Sequence, residues 1–183
     1  MWTIVLAAAG LILLFIMSTR LGSPRVLPIV GSDAPDFSLR CQDGTLVRLN
    51  DFRGKWVILY FYLKDSTPGC TVEARKFQHD QAEYAKRNAV VLGVSIDNED
   101  SHRKFCAKEG LHFLLLADTS GQISGSYGSL RNFGITKIAA RNTVLIDPKG
   151  RIARTFARVN PLRHSAEVLA ALDELKKPQL QLQ

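Results

Sequence analysis

Residues 56–74 read WVILYFYLKDSTPGCTVEA, and this stretch decides the fold. Its first part, Trp56 to Tyr62, is a continuous β-prone run, typical of a strand buried on both faces of a sheet. A helical pattern follows from Thr71 to Arg87. Cys70 therefore lies where a buried strand turns into a helix. At a helix N-terminus, free backbone N–H groups and the helix dipole favour the thiolate over the thiol.

Strand and helix patterns alternate on both sides of this stretch. Upstream, residues 37–40 and 46–49 predict a hairpin around Gln42-Asp43-Gly44. The elements predicted downstream are a strand at 89–96, a helix at 99–109, a strand at 114–117, a short helix at 119–127, a loop at 128–140, a hairpin at 142–146 and 152–156, and a helix at 163–177. This order predicts an α/β thioredoxin-like fold, with a central mixed sheet flanked by helices.

Composition and charge exclude several classes of protein. The chain has 183 residues, enough for one domain plus an extension. Its net charge is +7, but the basic residues are scattered, which indicates a solvated surface and no nucleic-acid binding. Cys41, Cys70 and Cys106 form no C-x-x-C pair, which argues against a disulfide scaffold, a zinc ribbon and a dithiol oxidoreductase. The histidines have no metal-ligand spacing and the glycines form no phosphate-binding motif, so no metal or nucleotide is expected.

The N-terminal segment differs in composition from the rest of the chain. Residues 2–17 form an unbroken apolar run with no basic residue before it and no cleavage-site pattern after it. These features predict an apolar helix that is retained as a single-pass membrane anchor. Arg20 and Arg25 favour a domain on the cytoplasmic face, with export as the alternative. The predicted organisation is an anchor at 1–19, a linker at 20–35, a domain at 36–177 and a tail at 178–183.

Cys70 is a candidate nucleophile because of the residues around it. The hydroxyl of Thr67, in the turn, can point at the sulfur or at a small oxygen substrate. Pro68 and Gly69 allow a sharp turn, so the N–H of Gly69 or Cys70 can face the reaction site. Arg141 begins a strand expected beside the central one, and its guanidinium can hold both sulfur and substrate oxygen. The alternatives are a buried inert thiol at Cys70 and an ordinary surface arginine at Arg141.

The active-site stretch belongs to a larger pattern. Residues 61–74, FYLKDSTPGCTVEA, closely resemble the active-site segment of peroxiredoxins of the bacterioferritin-comigratory-protein type, also called the Q type. The resemblance continues through residues 91–95, 101–105 and 141–147. It covers roughly residues 35–175, and the apolar N-terminal segment lies outside it.

The resemblance implies a thioredoxin-dependent thiol peroxidase that serves antioxidant defence. Cys70 would be the peroxidatic cysteine, whose thiolate attacks a hydroperoxide and becomes a sulfenic acid. Thr67, Gly69 and Arg141 would bind hydrogen peroxide or an organic hydroperoxide. Thr67 and Arg141 would also polarise the O–O bond, an interaction strongest in the transition state. No metal or organic cofactor is implied.

The chain departs from the family's pattern at two positions. Leu63 stands where the family has a proline that shields the sulfur, and a reduced peroxidase rate is expected because leucine fixes the backbone less well. Arg75 stands where many members carry a resolving cysteine. Other members place that cysteine on the next helix, where Cys106 lies 36 positions after Cys70.

The resemblance thus makes Cys106 the candidate resolving cysteine. It would form a disulfide with Cys70, which thioredoxin or a similar dithiol reduces, and both helices would have to unwind locally. The alternative is an enzyme that works with one cysteine, in which Cys106 is a packed apolar thiol. Cys41 is given no role.

Two other functions compete with the peroxidase. A membrane-anchored disulfide reductase needs a second cysteine close to Cys70, but Glu73 occupies the C-x-x-C position. The other alternative is a non-catalytic thioredoxin-fold binding module or holdase. In that case Leu63, in place of the family's proline, would indicate that the active site has been lost. The expected partners are a hydroperoxide, a dithiol reductant and a membrane, and the expected assembly is a monomer or weak dimer.

Overall fold

The computed structural model describes residues 26–177, which form a mixed sheet with helices packed on it. The strands are β1 (Ser38–Cys41), β2 (Leu46–Arg48), β3 (Trp56–Phe61), β4 (Ala89–Ser95), β5 (Leu114–Ala117), β6 (Leu130–Asn132), β7 (Lys137–Ala139), β8 (Asn142–Ile146) and β9 (Ile152–Ala157). The helices are α1 (Pro68–His79), α2 (Gln81–Lys86), α3 (Glu99–Glu109), α4 (Gln122–Ser126) and α5 (His164–Lys176), and a 3-10 turn spans Leu49–Phe52.

Within residues 26–177, the main sheet has seven strands in the order β2-β1-β5-β4-β3-β8-β9. The β3–β4 and β4–β5 pairs are parallel, whereas β8 is antiparallel to both β3 and β9. Each parallel pair is joined through helices, as parallel strands require. The predicted central mixed sheet flanked by helices is therefore confirmed.

Strand β3 divides the core into two apolar clusters. Ile58, Tyr60 and Tyr62 pack with residues of α1, α2, α3 and α5 in a cluster that also holds Cys70 and Cys106. The alternate residues Val57, Leu59 and Phe61 pack into the cluster on the opposite face. Because successive side chains of a strand point to opposite faces, a strand apolar throughout must be covered on both sides.

The predicted helix at 71–87 is two helices. α1 starts earlier, at Pro68, because proline is favoured in the first turn, where a helix has no use for its missing N–H. Asp80 separates α1 from α2 and leaves helical geometry, with φ −92° and ψ 10°. Its carboxylate accepts a hydrogen bond of 2.7 Å from the Ser165 hydroxyl on α5, which holds the break against the last helix.

The prediction that residues 128–140 form a loop is wrong. This segment contains the antiparallel strands β6 and β7, which pair as a two-stranded sheet of their own. The hairpin turns at Gly134, whose φ of +86° suits glycine, and the Phe133 N–H donates to the Thr136 carbonyl at 2.9 Å. Strands of three residues are too short to show a clear alternation in the sequence.

The predicted location, a single-pass membrane protein, is corrected. Among residues 26–177, no helix is long and apolar enough to cross a membrane. The longest one there, α5, has 13 residues, whereas a spanning helix needs about 20. The predicted anchor at 1–19 and the tail at 178–183 lie outside the described residues. The described part of the linker, from residue 26, joins the domain through a bridge between Asp33 and Arg151.

Candidate active site

Cys70 is the third residue of α1, directly after the strand-to-helix turn that follows β3. Its side chain is buried and its thiol is free. Thr67 is the N-cap residue, and its backbone carbonyl accepts the first helical hydrogen bond from the Thr71 N–H at 2.9 Å. The sulfur therefore sits in the first helical turn, where backbone N–H groups have no partner within the helix.

Arg141 lies beside Cys70, although 71 positions separate them in the sequence. It directly precedes β8, whose first residue Asn142 pairs with Phe61 at the end of β3. The two segments are thereby brought to the same edge of the sheet. Arg141 Nη2 donates a hydrogen bond of 3.4 Å to Cys70 Sγ. A positive group in contact with the sulfur stabilises negative charge on it.

Gly69 makes room for this contact. A Cβ at position 69 would lie 2.9 Å from Arg141 Nη2, closer than a side chain normally approaches another atom. Any other residue at this position would therefore displace the guanidinium from the sulfur. The sequence pattern predicts a role for the Gly69 backbone, and the structure adds this steric one.

The Thr67 side chain is placed differently from the sequence expectation. Its hydroxyl donates a hydrogen bond of 3.0 Å to the Lys64 carbonyl within the turn. A contact of this hydroxyl with the sulfur or a peroxide remains a prediction. Leu63, which replaces the family's proline, is half-buried and packs against the core cluster that contains Cys70.

The sequence analysis did not predict that Glu73 contacts Arg141. This residue lies one helical turn after Cys70, and its buried carboxylate is 3.2 Å from Arg141 Nε. Burial raises the pKa of Glu73 to about 8, and the attraction of Arg141 only partly offsets that effect. Among residues 26–177, no group gives either carboxylate oxygen a hydrogen bond of good geometry. The neutral acid is therefore favoured near pH 7. Glu73 follows Cys70 by three positions, which places both on one face of the helix. This spacing was the signal in the sequence that could have placed Glu73 at the site.

The Glu73→Gln variant is expected to be more stable than the wild type at alkaline pH, by about 5 kcal/mol. Folded Glu73 keeps its proton to about pH 8, whereas the unfolded side chain loses it near its ordinary value of 4.5. The folded state thus binds the extra proton, and stability falls as pH rises from about 4.5 to 8. Glutamine removes this dependence. Urea unfolding at pH 5 and pH 9 measures it.

The control for this prediction is Glu83→Gln. Hydrogen bonds from Lys86 and Arg87 lower the pKa of the exposed Glu83, so that substitution should reduce stability at neutral and alkaline pH. Identical pH dependence of unfolding in the wild type and Glu73→Gln would show that Glu73 is ionised in the folded protein.

A cavity of about 330 Å³ opens beside Arg141. Its wall combines apolar side chains with three arginines; the lining residues are Leu63, Arg131, Phe133, Ile138, Ala140, Arg141, Arg158 and Val159. Arg158 has a left-handed backbone with φ of 52°, and its N–H donates to the Asn142 side chain at 3.3 Å. Such backbone strain in a non-glycine residue is often found at functional sites.

The other two cysteines are buried free thiols. Cys106 lies on α3, in the core cluster that also contains Cys70. Burial raises the pKa of Cys106 to about 11, and the negative charge of Asp65 adds to the effect. Burial and a hydrogen bond of 3.0 Å to the Asp43 carboxylate likewise raise the pKa of Cys41.

Comparison with known proteins decides the family. Residues 30–155 match the AhpC/TSA family. Peroxiredoxin Bcp of Bacillus subtilis is 38% identical over 152 residues, which cover 81% of this chain and 97% of that protein. The chain belongs to the AhpC/TSA family, as a peroxiredoxin of the Bcp and PrxQ type. The AhpC/TSA match starts beyond the apolar N-terminal segment.

Solved structures of peroxiredoxins share the fold. A PrxQ structure from Xylella fastidiosa superposes with a TM-score of 0.76 at 32% identity, covering 84% of this chain and 98% of that one. A Xanthomonas campestris peroxiredoxin Q structure gives 0.72 at 33% identity, covering 83% of this chain and 99% of that one. The predicted thioredoxin-like fold and thioredoxin-dependent peroxidase are confirmed, and a non-catalytic binding module is not favoured.

Proposed function

We propose that Cys70 is the peroxidatic cysteine and that Arg141 stabilises the charge of the reaction. The observation that carries this proposal is the 3.4 Å contact from Arg141 Nη2 to Cys70 Sγ. The Cys70 thiolate attacks the terminal oxygen of the hydroperoxide, an S–O bond forms and the O–O bond breaks. The departing oxygen takes a proton and leaves as water or an alcohol, and Cys70 becomes a sulfenic acid.

Arg141 can serve both sulfur and peroxide because its guanidinium carries five N–H donors in a fixed fork. Negative charge moves from the sulfur to the departing oxygen as the O–O bond breaks. A donor already in place at both atoms stabilises the transition state without rearrangement. Glu73 lies 3.2 Å from Arg141 Nε and supports the guanidinium at a different nitrogen from the one that contacts the sulfur, while burial, which raises the pKa of Glu73 to about 8, limits how far its charge cancels that of Arg141.

Thr67 and the first helical turn complete the proposed binding site for the peroxide. Thr67 lies at the helix N-cap, and Gly69 and Cys70 follow in the first turn. Rotation of the Thr67 side chain away from the Lys64 carbonyl would bring its hydroxyl to the peroxide. The free N–H groups of Gly69 and Cys70 would donate to the same oxygen atoms.

The cavity beside Arg141 supports organic hydroperoxides as substrates in addition to hydrogen peroxide. Its volume of about 330 Å³ and its apolar wall, including Leu63, Phe133 and Ile138, suit an organic group attached to the peroxide. A solved structure of the Xanthomonas campestris bacterioferritin comigratory protein concerns the alkyl peroxide reduction activity of that protein. The alkyl group of such a peroxide would fit against the apolar wall of this cavity.

Cys106 is the proposed resolving cysteine. Two solved structures of the Xanthomonas campestris peroxiredoxin Q are cysteine-to-serine mutants at positions 36 apart, the separation of Cys70 and Cys106. The Cys106 thiolate would attack the sulfur of the Cys70 sulfenic acid, so that an S–S bond forms and the S–O bond breaks. Hydroxide leaves and is protonated to water, and thioredoxin or a similar dithiol then reduces the disulfide.

Cys106→Ser is expected to block disulfide formation while leaving the first oxidation of Cys70 close to the wild-type rate. Without a resolving thiol, the Cys70 sulfenic acid persists and excess peroxide converts it to sulfinic acid. Mass spectrometry after one equivalent of peroxide, combined with a thioredoxin-coupled assay of turnover, measures both effects. Cys41→Ser, which removes the other buried cysteine, should behave as the wild type. If oxidised wild-type protein keeps a stable Cys70 sulfenic acid while the Cys106 thiol stays free, Cys106 is not the resolving cysteine and the enzyme works with one cysteine.

A further inference from the structure

Asp65 ties the turn before Cys70 to helix α3. It lies five positions before Cys70, and its side chain is only 3% exposed. Its carboxylate accepts hydrogen bonds from the Tyr62 hydroxyl at 2.6 Å, the Ser101 hydroxyl at 2.7 Å and His102 Nδ1 at 2.9 Å. Burial raises the pKa of Asp65, but the hydrogen bonds from His102, Tyr62 and Ser101 outweigh burial and lower it overall. The group is therefore a buried carboxylate held by three donors.

Two of these donors belong to the helix that carries Cys106. Ser101 and His102 lie in the first half of α3, and Cys106 follows His102 by four positions, on the same helix face. The bonds to Asp65 therefore fix the position of the face that carries the Cys106 thiol. A second tie joins the same helices, since Arg75 of α1 donates to Glu109 of α3 at 2.7 Å. Arg75 is mostly exposed, so solvent screens that pair.

The folded state keeps Cys106 unreactive. The residue is 8% exposed, and burial, together with the negative charge of the Asp65 carboxylate, raises the pKa of its thiol to about 11. Only the thiolate attacks a sulfenic acid, so Cys106 must leave this environment to react. Asp65 therefore opposes resolution in two ways: it holds the helix in place, and its charge disfavours the Cys106 thiolate.

The network can also be opened. His102 Nε2 is buried and has no hydrogen-bond partner among residues 26–177. An incompletely satisfied buried network stabilises a structure less than a complete one, because the unpaired group loses its hydration without a replacement. Release of α3 would return His102 to solvent and recover part of that cost.

We propose that Asp65 is a positioning residue that latches helix α3 onto the Cys70 turn, and that breaking its bonds to Ser101 and His102 limits the rate at which Cys106 resolves the sulfenic acid. The inference rests on the proposed resolving role of Cys106. The latch sets how long the sulfenic acid survives, and therefore how readily a second peroxide oxidises it to sulfinic acid. Asp65 makes no bond in the chemical step itself.

The test uses full-length Asp65→Asn, with Ser101→Ala as a milder variant that removes one of the three donors. The control is Asp100→Asn, which removes a carboxylate on the exposed face of the same helix, where it pairs with Arg103 and Lys104. After a single oxidation, rapid quenching and mass spectrometry follow the loss of the Cys70 thiol and the formation of the Cys70–Cys106 disulfide. Titration with peroxide measures the yield of sulfinic acid.

Asp65→Asn is expected to form the disulfide about tenfold faster. A hydrogen bond to a charged group stabilises the closed position of α3 by enough to slow its release by at least that factor. Ser101→Ala should show a smaller increase and Asp100→Asn none. The peroxide concentration that gives half-maximal sulfinic acid should rise in parallel, while the Cys70 oxidation rate does not increase. A residue that only stabilised the fold as a whole would not change the ratio of disulfide to sulfinic acid.

Three results would overturn the proposal. Disulfide formation at or below the wild-type rate in a folded Asp65→Asn protein would refute the latch alone. If that variant does not fold, an unchanged rate in Ser101→Ala refutes it equally. A wild-type protein that forms no Cys70–Cys106 disulfide would refute the resolving role as well, and so separates the two failures.

Discussion

Cys70→Ser is expected to reduce peroxide consumption by about a thousandfold or more, because a serine hydroxyl is not ionised at neutral pH and forms no sulfenic acid. The effect should be the same for hydrogen peroxide and for cumene hydroperoxide, since both would react at the same sulfur. A thioredoxin-coupled assay and a direct assay of remaining peroxide, run in parallel, separate the first step from reduction of the enzyme.

The substitution is conservative for the fold. Cys70 is buried and its contact with Arg141 is a side-chain contact, so serine leaves the backbone of α1 unchanged. Cys41→Ser is the matched control, because Cys41 is also buried and lies on β1. Peroxide consumption by Cys70→Ser at a rate near that of the wild type would place the reacting sulfur elsewhere and refute the proposed site.

The sequence predicted the elements best where local signals mark both of their ends. Helix α3 was predicted with its observed bounds, Glu99–Glu109. Asn98 caps it by accepting a hydrogen bond from the Ser101 N–H at 2.9 Å, and Gly110 ends it with φ of 64°. A side-chain cap before a helix and a glycine after it are readable without any knowledge of the fold. Strands β5 and β8 were also predicted with their observed bounds, Leu114–Ala117 and Asn142–Ile146.

The sequence could not show which polar groups are buried together. Asp65 and His102 are 37 positions apart, and nothing in the sequence near either one names the other. Their contact depends on the sheet, which sets the turn after β3 beside the start of α3. The burial of Glu73 was hidden for the same reason. A glutamate in a helix is usually exposed, and only the placement of Arg141 across the sheet accounts for its position.

The strand expected beside the central one already suggested that Arg141 could reach Cys70, but the sequence pattern left an ordinary surface arginine as the alternative. The resemblance added the role of Arg141 at the O–O bond. The structure adds the physical reason that the pair can form. Strand β8 pairs with β3 from Asn142 onward, and Gly69 leaves space for the guanidinium. The break at Asp80 and the hairpin of β6 and β7 remained unpredicted, because tertiary contacts decide the first and strand length obscures the second.

Arg141→Lys is expected to lower the rate of Cys70 oxidation by peroxide about a hundredfold. Loss of one preorganised donor at an atom that gains charge in the transition state typically costs that factor or more. A lysine ammonium is a point charge on a flexible stem, so it cannot reach both Cys70 and Glu73 as the guanidinium does, with Nη2 3.4 Å from the sulfur and Nε 3.2 Å from the carboxylate. Stopped-flow measurement of Cys70 oxidation gives the rate.

Alkylation by iodoacetamide separates the two roles assigned to Arg141. That reagent needs the Cys70 thiolate but has no O–O bond to polarise, so stabilisation of the thiolate alone would lower both rates equally. The proposed role at the peroxide requires the peroxide rate to fall further than the alkylation rate. Arg154→Lys is the matched control, since Arg154 lies on β9, pairs with Glu174 and does not line the cavity beside Arg141. Equal losses in both reactions would assign Arg141 to the thiolate alone, and unchanged rates would remove it from the mechanism.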